Sequence, residues 1–141
     1  MALTQHTPRH FELGYTQEYP VAAGAMIYEG AAVGLASGYA RPLVAGDAFM
    51  GFSVQTANTV GKAAGADRVR VRFYGQVVLE VAGATAVTAN AGAKVYAADD
   101  GTFTLTAGSN SVIGRVSRWE AGTRCVVAFD AIQAKGALAA P

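Results

Sequence analysis

The chain has 141 residues, of which 52% are hydrophobic and 15% are charged, and its formal net charge is +1. That length fits one domain with a core of its own, and the near-neutral charge argues against a broad attraction to nucleic acid or to an anionic membrane. The single cysteine, Cys125, excludes an intrachain disulfide. Residues 1–15 lack the basic start and apolar core of a signal peptide, and no stretch is apolar enough to predict a membrane span. We therefore expect synthesis in a cytoplasm.

The two ends of the chain differ from its middle. Residues 1–20 are polar and aromatic, show a period of neither 2 nor 3.6, and end in Pro20. They predict an extended N-terminal arm. Residues 131–141 are small and weakly patterned, and they predict a loose C-terminal tail. Residues 21–130 predict a single β domain.

Short β-prone runs divided by glycine turns fill residues 21–130. Residues 68–73 alternate strictly between polar and apolar side chains, as a half-buried strand does. Asp99-Asp100-Gly101 separates two β-prone runs and predicts a hairpin. Only residues 57–66 could be helical, and two internal glycines weaken that interpretation. In chain order, the predicted strands are residues 25–28, 31–35, 39–44, 48–55, 68–73, 76–81, 94–97, 102–106, 111–119 and 123–129.

Nine or ten short strands of this kind predict an all-β fold, a sandwich or barrel with a jelly-roll-like arrangement. The strands also carry a faint internal repeat. The order of the matching segments is kept while their offset shrinks, as deletions in loops would produce. The matches are residues 23–28 with 91–96, 43–46 with 105–108, Met50-Gly51 with Ile113-Gly114, and Arg68 and Phe73 with Arg124 and Phe129. Chance similarity between Ala- and Gly-rich strands is the alternative.

Residues that could perform catalysis are poorly placed for it. An enzyme needs a base, acid or nucleophile with a partner, and both histidines, His6 and His10, lie in the predicted arm. Pro8 separates them and no third ligand is evident, so we expect no metal site. Alternation places Cys125 on an apolar strand face, where a buried structural role is expected. The sequence predicts a protein that is not an enzyme and needs no cofactor.

Arg68, Arg70 and Arg72 form an arginine ladder, because alternate residues of a strand share one face about 7 Å apart. Three roles are open for it: a solvated face, a docking site for an acidic protein surface, or a nucleic-acid site. The near-neutral charge of the chain argues against the last. Aromatic side chains bury much area with few rotors. Phe11, Tyr15 and Tyr19 in the arm, and Trp119, are therefore candidate interface anchors.

After the ladder the chain follows a recognisable order of motifs. A glycine-led strand, Gly75-Gln76-Val77-Val78-Leu79-Glu80-Val81, precedes Ala91-Gly92-Ala93-Lys94-Val95-Tyr96, and then come the Asp-Gly hairpin, Asn110-Ser111-Val112-Ile113-Gly114 and a valine-rich strand ending at Phe129. In this order, over roughly residues 21–130, the chain resembles the capsid decoration, or cement, proteins of tailed double-stranded DNA bacteriophages. The arm is longer than the simplest members of that family would have.

The resemblance implies a structural protein of the virion. Such proteins bind the outer surface of a capsid, contact a major capsid protein of the tailed-phage coat fold, and resist the outward pressure of packaged DNA. We expect a homo-oligomer, with a dimer favoured because two-fold contacts are commonest and a trimer at three-fold axes as the alternative. Direct binding to nucleic acid or membrane is not expected. The ladder and the four aromatic anchors are the predicted capsid contacts.

A second function class fits the same composition. The chain could be a β-sandwich binding module for carbohydrate or a host surface, such as a tail accessory protein. That hypothesis predicts a shallow groove with exposed aromatic side chains, whereas cementing predicts saturable binding to capsids.

Overall fold

The computed structural model describes residues 2, 4–6, 8–9 and 14–132 of the chain. Phe11 and His10, both discussed above, lie outside the described residues. The described part is all-β and its strands vary from two to eleven residues. In chain order they are β1 (Thr16–Pro20), β2 (Met26–Ile27), β3 (Ala32–Ala36), β4 (Tyr39–Pro42), β5 (Ala48–Ser53), β6 (Ala57–Asn58), β7 (Arg68–Arg72), β8 (Tyr74–Ala82), β9 (Lys94–Ala97), β10 (Phe103–Thr104), β11 (Ser111–Ala121) and β12 (Arg124–Asp130).

The strands fall into two halves that meet at Phe73. The N-half, residues 16–72, holds a five-stranded sheet in the order β1-β7-β5-β3-β4, and β2 pairs separately with β6. A parallel bridge between Val21 and Ala40 joins the two edges of that sheet at one point. The C-half, residues 74–130, is a closed barrel in the order β10-β8-β12-β11-β9, and the parallel pairing of β10 with β8 closes it.

The two halves have the same topology once the β2–β6 pair is set aside. In each half the first strand pairs with the last, the last with the fourth, the fourth with the second, and the second with the third. The hydrogen bond from Val21 N to Asp67 O in the N-half, 3.0 Å long, has its counterpart in the bond from Val81 N to Thr123 O, 2.8 Å long. The chain is therefore built as an internal structural repeat.

A shared bulge fixes which residues are equivalent. Met50 and Ile113 are each skipped in the pairing of the fourth strand with the second, and a glycine follows each of them. A Cβ on Gly51 would overlap the carbonyl group of Arg72, and one on Gly114 would overlap that of Ala128. Both strand crossings therefore require glycine, and the predicted match of Met50-Gly51 with Ile113-Gly114 is confirmed.

The predicted match of residues 23–28 with 91–96 is wrong. It aligns Ile27 with Val95, but Val95 lies opposite Gly114 as Val33 lies opposite Gly51. Val33 is therefore the equivalent of Val95. Residues 23–28 and 91–96 are both glycine turns that lead into a strand, and that local likeness misdirected the alignment.

The largest core cluster is shared between the halves. Phe49 and Phe52 of β5 meet Phe129 of β12, with ring centroids 6.2 and 5.0 Å apart in edge-to-face geometry, and Phe52 also lies 6.0 Å from Phe103. A smaller cluster, which includes Val69 and Val71, lies wholly within the N-half. The aromatic junction holds the two repeats together, because burying such rings removes a large apolar area from water.

The predicted all-β class is confirmed, and the barrel is present in the C-half. The predicted count of nine or ten strands is wrong, since twelve are present. Residues 16–20, assigned to the arm, form edge strand β1, and residues 57–58, in the stretch considered as a possible helix, form β6. Both were missed because neither shows clear alternation of buried and exposed residues: β1 is stabilised by pairing with β7, and β6 is only two residues long.

Candidate functional site

The arginine ladder lies on the outer face of β7. Arg68, Arg70 and Arg72 are exposed, whereas Val69 and Val71 between them are fully buried. The two valines fix the orientation of the strand, because a shift by one residue would bury the guanidinium groups and expose the valines. The three positive charges therefore share one rigid face.

Glu18 is the acidic neighbour of the ladder. The register of β1 on β7 places Glu18 directly opposite Arg70, and Arg70 Nη2 donates to Glu18 Oε2 at 3.0 Å. The Nε of Arg68 lies 3.6 Å from the other carboxylate oxygen. One carboxylate among three guanidinium groups leaves the face with a net positive charge. Exposed ion pairs of this kind stabilise by only about 0.2–1 kcal/mol, so Glu18 can exchange these contacts for others at small cost.

Arg72 links the ladder to a pair of tyrosines. Its guanidinium carbon lies 4.2 Å from the centre of the Tyr15 ring, and its Nε donates to the carbonyl oxygen of Tyr74 at 3.3 Å. Tyr15 and Tyr74 pack edge to face at 6.2 Å, and each remains 45% exposed. We call the outer surface formed by Tyr15, Glu18, Arg68, Arg70, Arg72 and Tyr74 the basic face. It combines flat aromatic area with fixed cationic groups.

The other predicted contact residues occupy different surroundings. Tyr19 packs against the core cluster of the N-half, and burial raises the pKa of its phenol above the ordinary value of 10.0. Trp119 lies near the hairpin between β11 and β12, where its Nε1 donates to Gly122 O at 2.9 Å. Trp119 pairs with Cys125, which pairs with Leu79. Leu79 is five residues from Tyr74 along β8, roughly 16 Å of strand, so Trp119 is not part of the basic face.

Sequence reasoning found the ladder and Tyr15 but missed Glu18 and Tyr74. Their positions depend on the pairing of β1 with β7 and on the turn at Phe73, which local patterns do not reveal. The one available signal was the single acidic residue between two β-prone aromatic positions, Tyr15 and Tyr19.

No protein-family model, curated protein or solved structure matches the chain. What it does must therefore be inferred from its own residues. Among the described residues, no group of three or more histidine, cysteine, aspartate or glutamate side chains is placed to hold a metal ion. No helix in residues 2, 4–6, 8–9 and 14–132 has the length and apolarity to cross a membrane.

Cys125, the one thiol of the chain, lies in the core. Desolvation by burial raises the pKa of the thiol, and the negative charge of Glu80 raises it further. The thiol therefore stays protonated near neutral pH, and a protonated thiol is a poor nucleophile. The feature that stands out for function is accordingly the basic face, and what such a face can do is bind.

Proposed function

We propose that the chain is a structural virion protein that binds the outer surface of a phage capsid. It cements neighbouring coat subunits against internal DNA pressure, as the resemblance implies. Its partners are a major capsid protein of the tailed-phage coat fold and other copies of itself, and it is made in the host cytoplasm. It performs no catalysis and uses no cofactor. A jelly-roll-like relation to other decoration proteins is retained only as part of this proposal.

The basic face is the observation that supports this proposal most directly. Its three guanidinium groups stand on a strand whose opposite side is locked into the core, so they are presented without loss of backbone freedom on binding. Arginine forks match carboxylates in geometry, and the flat rings of Tyr15 and Tyr74 add apolar contact area. An acidic, moderately apolar protein surface complements such a face.

Many weak contacts suffice for cementing. A decorated capsid presents many equivalent sites, and each bound copy that touches two coat subunits adds a bridge across their boundary. The contacts of one copy act in concert once the first is made, because the rest are then intramolecular. The chain needs no chemistry beyond complementary surface.

Co-sedimentation with expanded, undecorated capsids tests the proposal. Wild type is expected to bind saturably, in a fixed ratio to coat subunits. Replacing Arg68, Arg70 and Arg72 with Ser is expected to weaken binding about ten- to hundredfold, since three exposed charge contacts are worth roughly 0.2–1 kcal/mol each. The matched control replaces Arg115, Arg118 and Arg124 on the C-half with Ser. It removes the same charge and is expected to leave binding nearly unchanged.

Two outcomes would contradict the proposal. If wild type fails to bind capsids at every salt concentration, cementing is excluded. If both triple variants weaken binding equally, the effect comes from net charge and not from the basic face. Deleting residues 1–13 separately tests the predicted arm, and the deletion must stop before β1 so that the sheet of the N-half stays intact.

The exposed pair of Tyr15 and Tyr74 favours carbohydrate binding as a second candidate. Exposed aromatic rings beside a polar group are suited to packing against a sugar. A glycan screen with reproducible hits that disappear on Tyr74→Ala, together with no capsid binding, would favour this alternative.

A further inference from the structure

One edge of β8 lacks a neighbour along most of its length. β12 pairs with residues 74–80 on one side of the strand. On the other side, β10 pairs only with Val81 and Ala82. Among residues 14–132, no strand pairs with the remaining part of that edge.

The hydrogen-bonding pattern shows which groups point to the open edge. Val81 donates to Thr123 O of the β12 side at 2.8 Å. Directly bonded pairs recur at every second residue of an antiparallel ladder, so Leu79 and Val77 also bond to β12. The N–H and C=O groups of Gln76 and Val78 therefore point away from β12, toward the open edge.

The repeat supplies an internal comparison for this edge. Glu18 lies opposite Arg70 in the N-half, as Val78 lies opposite Val126 in the C-half, so Glu18 and Val78 are equivalent. In the same way Pro20 is equivalent to Glu80. A charge, a proline and a short length are the usual means by which an edge strand avoids pairing with another chain. β1 has all three, whereas β8 has nine residues and no proline.

Side-chain exposure along β8 agrees with an open edge. Val78 is 55% exposed on the outer face. Val77 and Leu79 point toward the core yet remain only partly buried. Burying these three apolar side chains against another strand would remove their exposed area from water.

We propose that the open edge of β8 binds the same edge of a second copy of this chain. The two β8 strands pair antiparallel about a two-fold axis at Val78. This specifies the self-association named in the proposed function and rests on it only to that extent. Val78 then exchanges backbone hydrogen bonds with Val78 of the second copy, and Gln76 faces Glu80 of the second copy.

The self-complementary charge pattern favours a second copy over a different strand. In the two-fold register, valine meets valine and an amide meets a carboxylate, so no like charges lie opposite each other. An isologous contact of this kind closes at two chains. Each barrel would thereby extend its sheet across the axis into that of its partner.

Sedimentation equilibrium of purified full-length chains tests the interface. Wild type is expected to shift with concentration from 14.4 kDa to twice that mass. Val78→Lys and Val78→Asp each place like charges opposite each other and remove the valine contact. Each is expected to raise the dissociation constant about tenfold or more. An equimolar mixture of the two variants is expected to regain association, because Lys then faces Asp.

Regain of association in the mixture shows that the variants fold, and circular dichroism of each verifies this directly. Val60→Lys is the matched control: Val60 is 60% exposed in the N-half, and the change should leave the dimer intact. A monomeric wild type at all concentrations overturns the proposal. So does an unchanged dimer in both Val78 variants, which would place the interface elsewhere.

Capsids are absent from this experiment, so its result is distinguishable from that of the capsid-binding test. A wild type that is monomeric alone but dimeric or bound on capsids would assign the β8 edge to a coat strand, and would likewise overturn pairing between copies.

Discussion

Replacing Phe52 with Leu tests whether the two halves of the molecule unfold as one unit. Phe52 belongs to the N-half, and its ring lies 5.4 Å from Phe49, 6.0 Å from Phe103 and 5.0 Å from Phe129. Two of these three partners belong to the C-half. A smaller side chain at this position therefore loses contacts on both sides of the junction.

The size of the effect follows from these contacts. A swap between apolar side chains of similar volume usually costs below about 1.5 kcal/mol, and each lost ring pair adds roughly 0.5–1.5 kcal/mol. We expect the free energy of unfolding to fall by about 3 kcal/mol, which is within the 5–15 kcal/mol typical of a domain. The variant should remain folded and measurable.

Native-state hydrogen exchange gives the decisive readout. Val71 of β7 and Val127 of β12 are both fully buried and occupy equivalent strands. If the halves unfold together, Phe52→Leu lowers the protection of both amides by the same factor, about a hundredfold for 3 kcal/mol. Val60→Ala, at an exposed position, should change neither by more than about 0.5 kcal/mol.

A loss of protection at Val71 with none at Val127 would refute this reasoning. The halves would then open separately, and the aromatic junction would be a contact between independent units. Fluorescence of Trp119, the single tryptophan, reports on the C-half alone and should give the same midpoint as a whole-chain probe in denaturant.

Three further predictions concern single residues. Gly114→Ala should destabilise by about 1–3 kcal/mol or more through overlap with the Ala128 carbonyl, whereas Gly101→Ala, with open space around it, should be nearly neutral in urea unfolding. Backbone N–H groups lower the pKa of Asp67 and of Asp99 below the ordinary 3.8. Both carboxylates therefore stabilise the fold above about pH 4 and lose that contribution as pH falls through their folded pKa values, so Asp67→Asn should flatten the acid limb of a stability–pH curve. The Cys125 thiol, with its raised pKa, should react with a thiol reagent only as fast as the barrel opens, and reaction at the rate of a free thiol would contradict its burial.

Local patterns in the sequence were enough for much of the fold. The alternation at residues 68–73 gave β7 and the direction of its arginines, and the strand predicted over residues 94–97 matches β9. Both predictions depend on side-chain periodicity within one strand. Glycine positions gave the shared bulge, because a close crossing of strands leaves no room for a side chain.

The features that the sequence did not reveal depend on pairing between distant segments. β1 is exposed along most of its length, so its residues show no buried stripe, and only the register with β7 brings Glu18 beside the ladder. Tyr74 joins Tyr15 through the turn at Phe73. The equivalence of Val33 and Val95 is likewise set by strand pairing and not by similar letters.

The single residue between β7 and β8 has a mechanical consequence. Phe73 is all that separates the strand carrying the arginine ladder from the longest strand at the open edge of the barrel. A pull between those two surfaces would run along the backbone of both strands. It would strain the lateral hydrogen bonds of β7 and β8 all at once, in shear, and would not peel them apart one by one. A protein held under tension between two neighbours would resist rupture best in this direction.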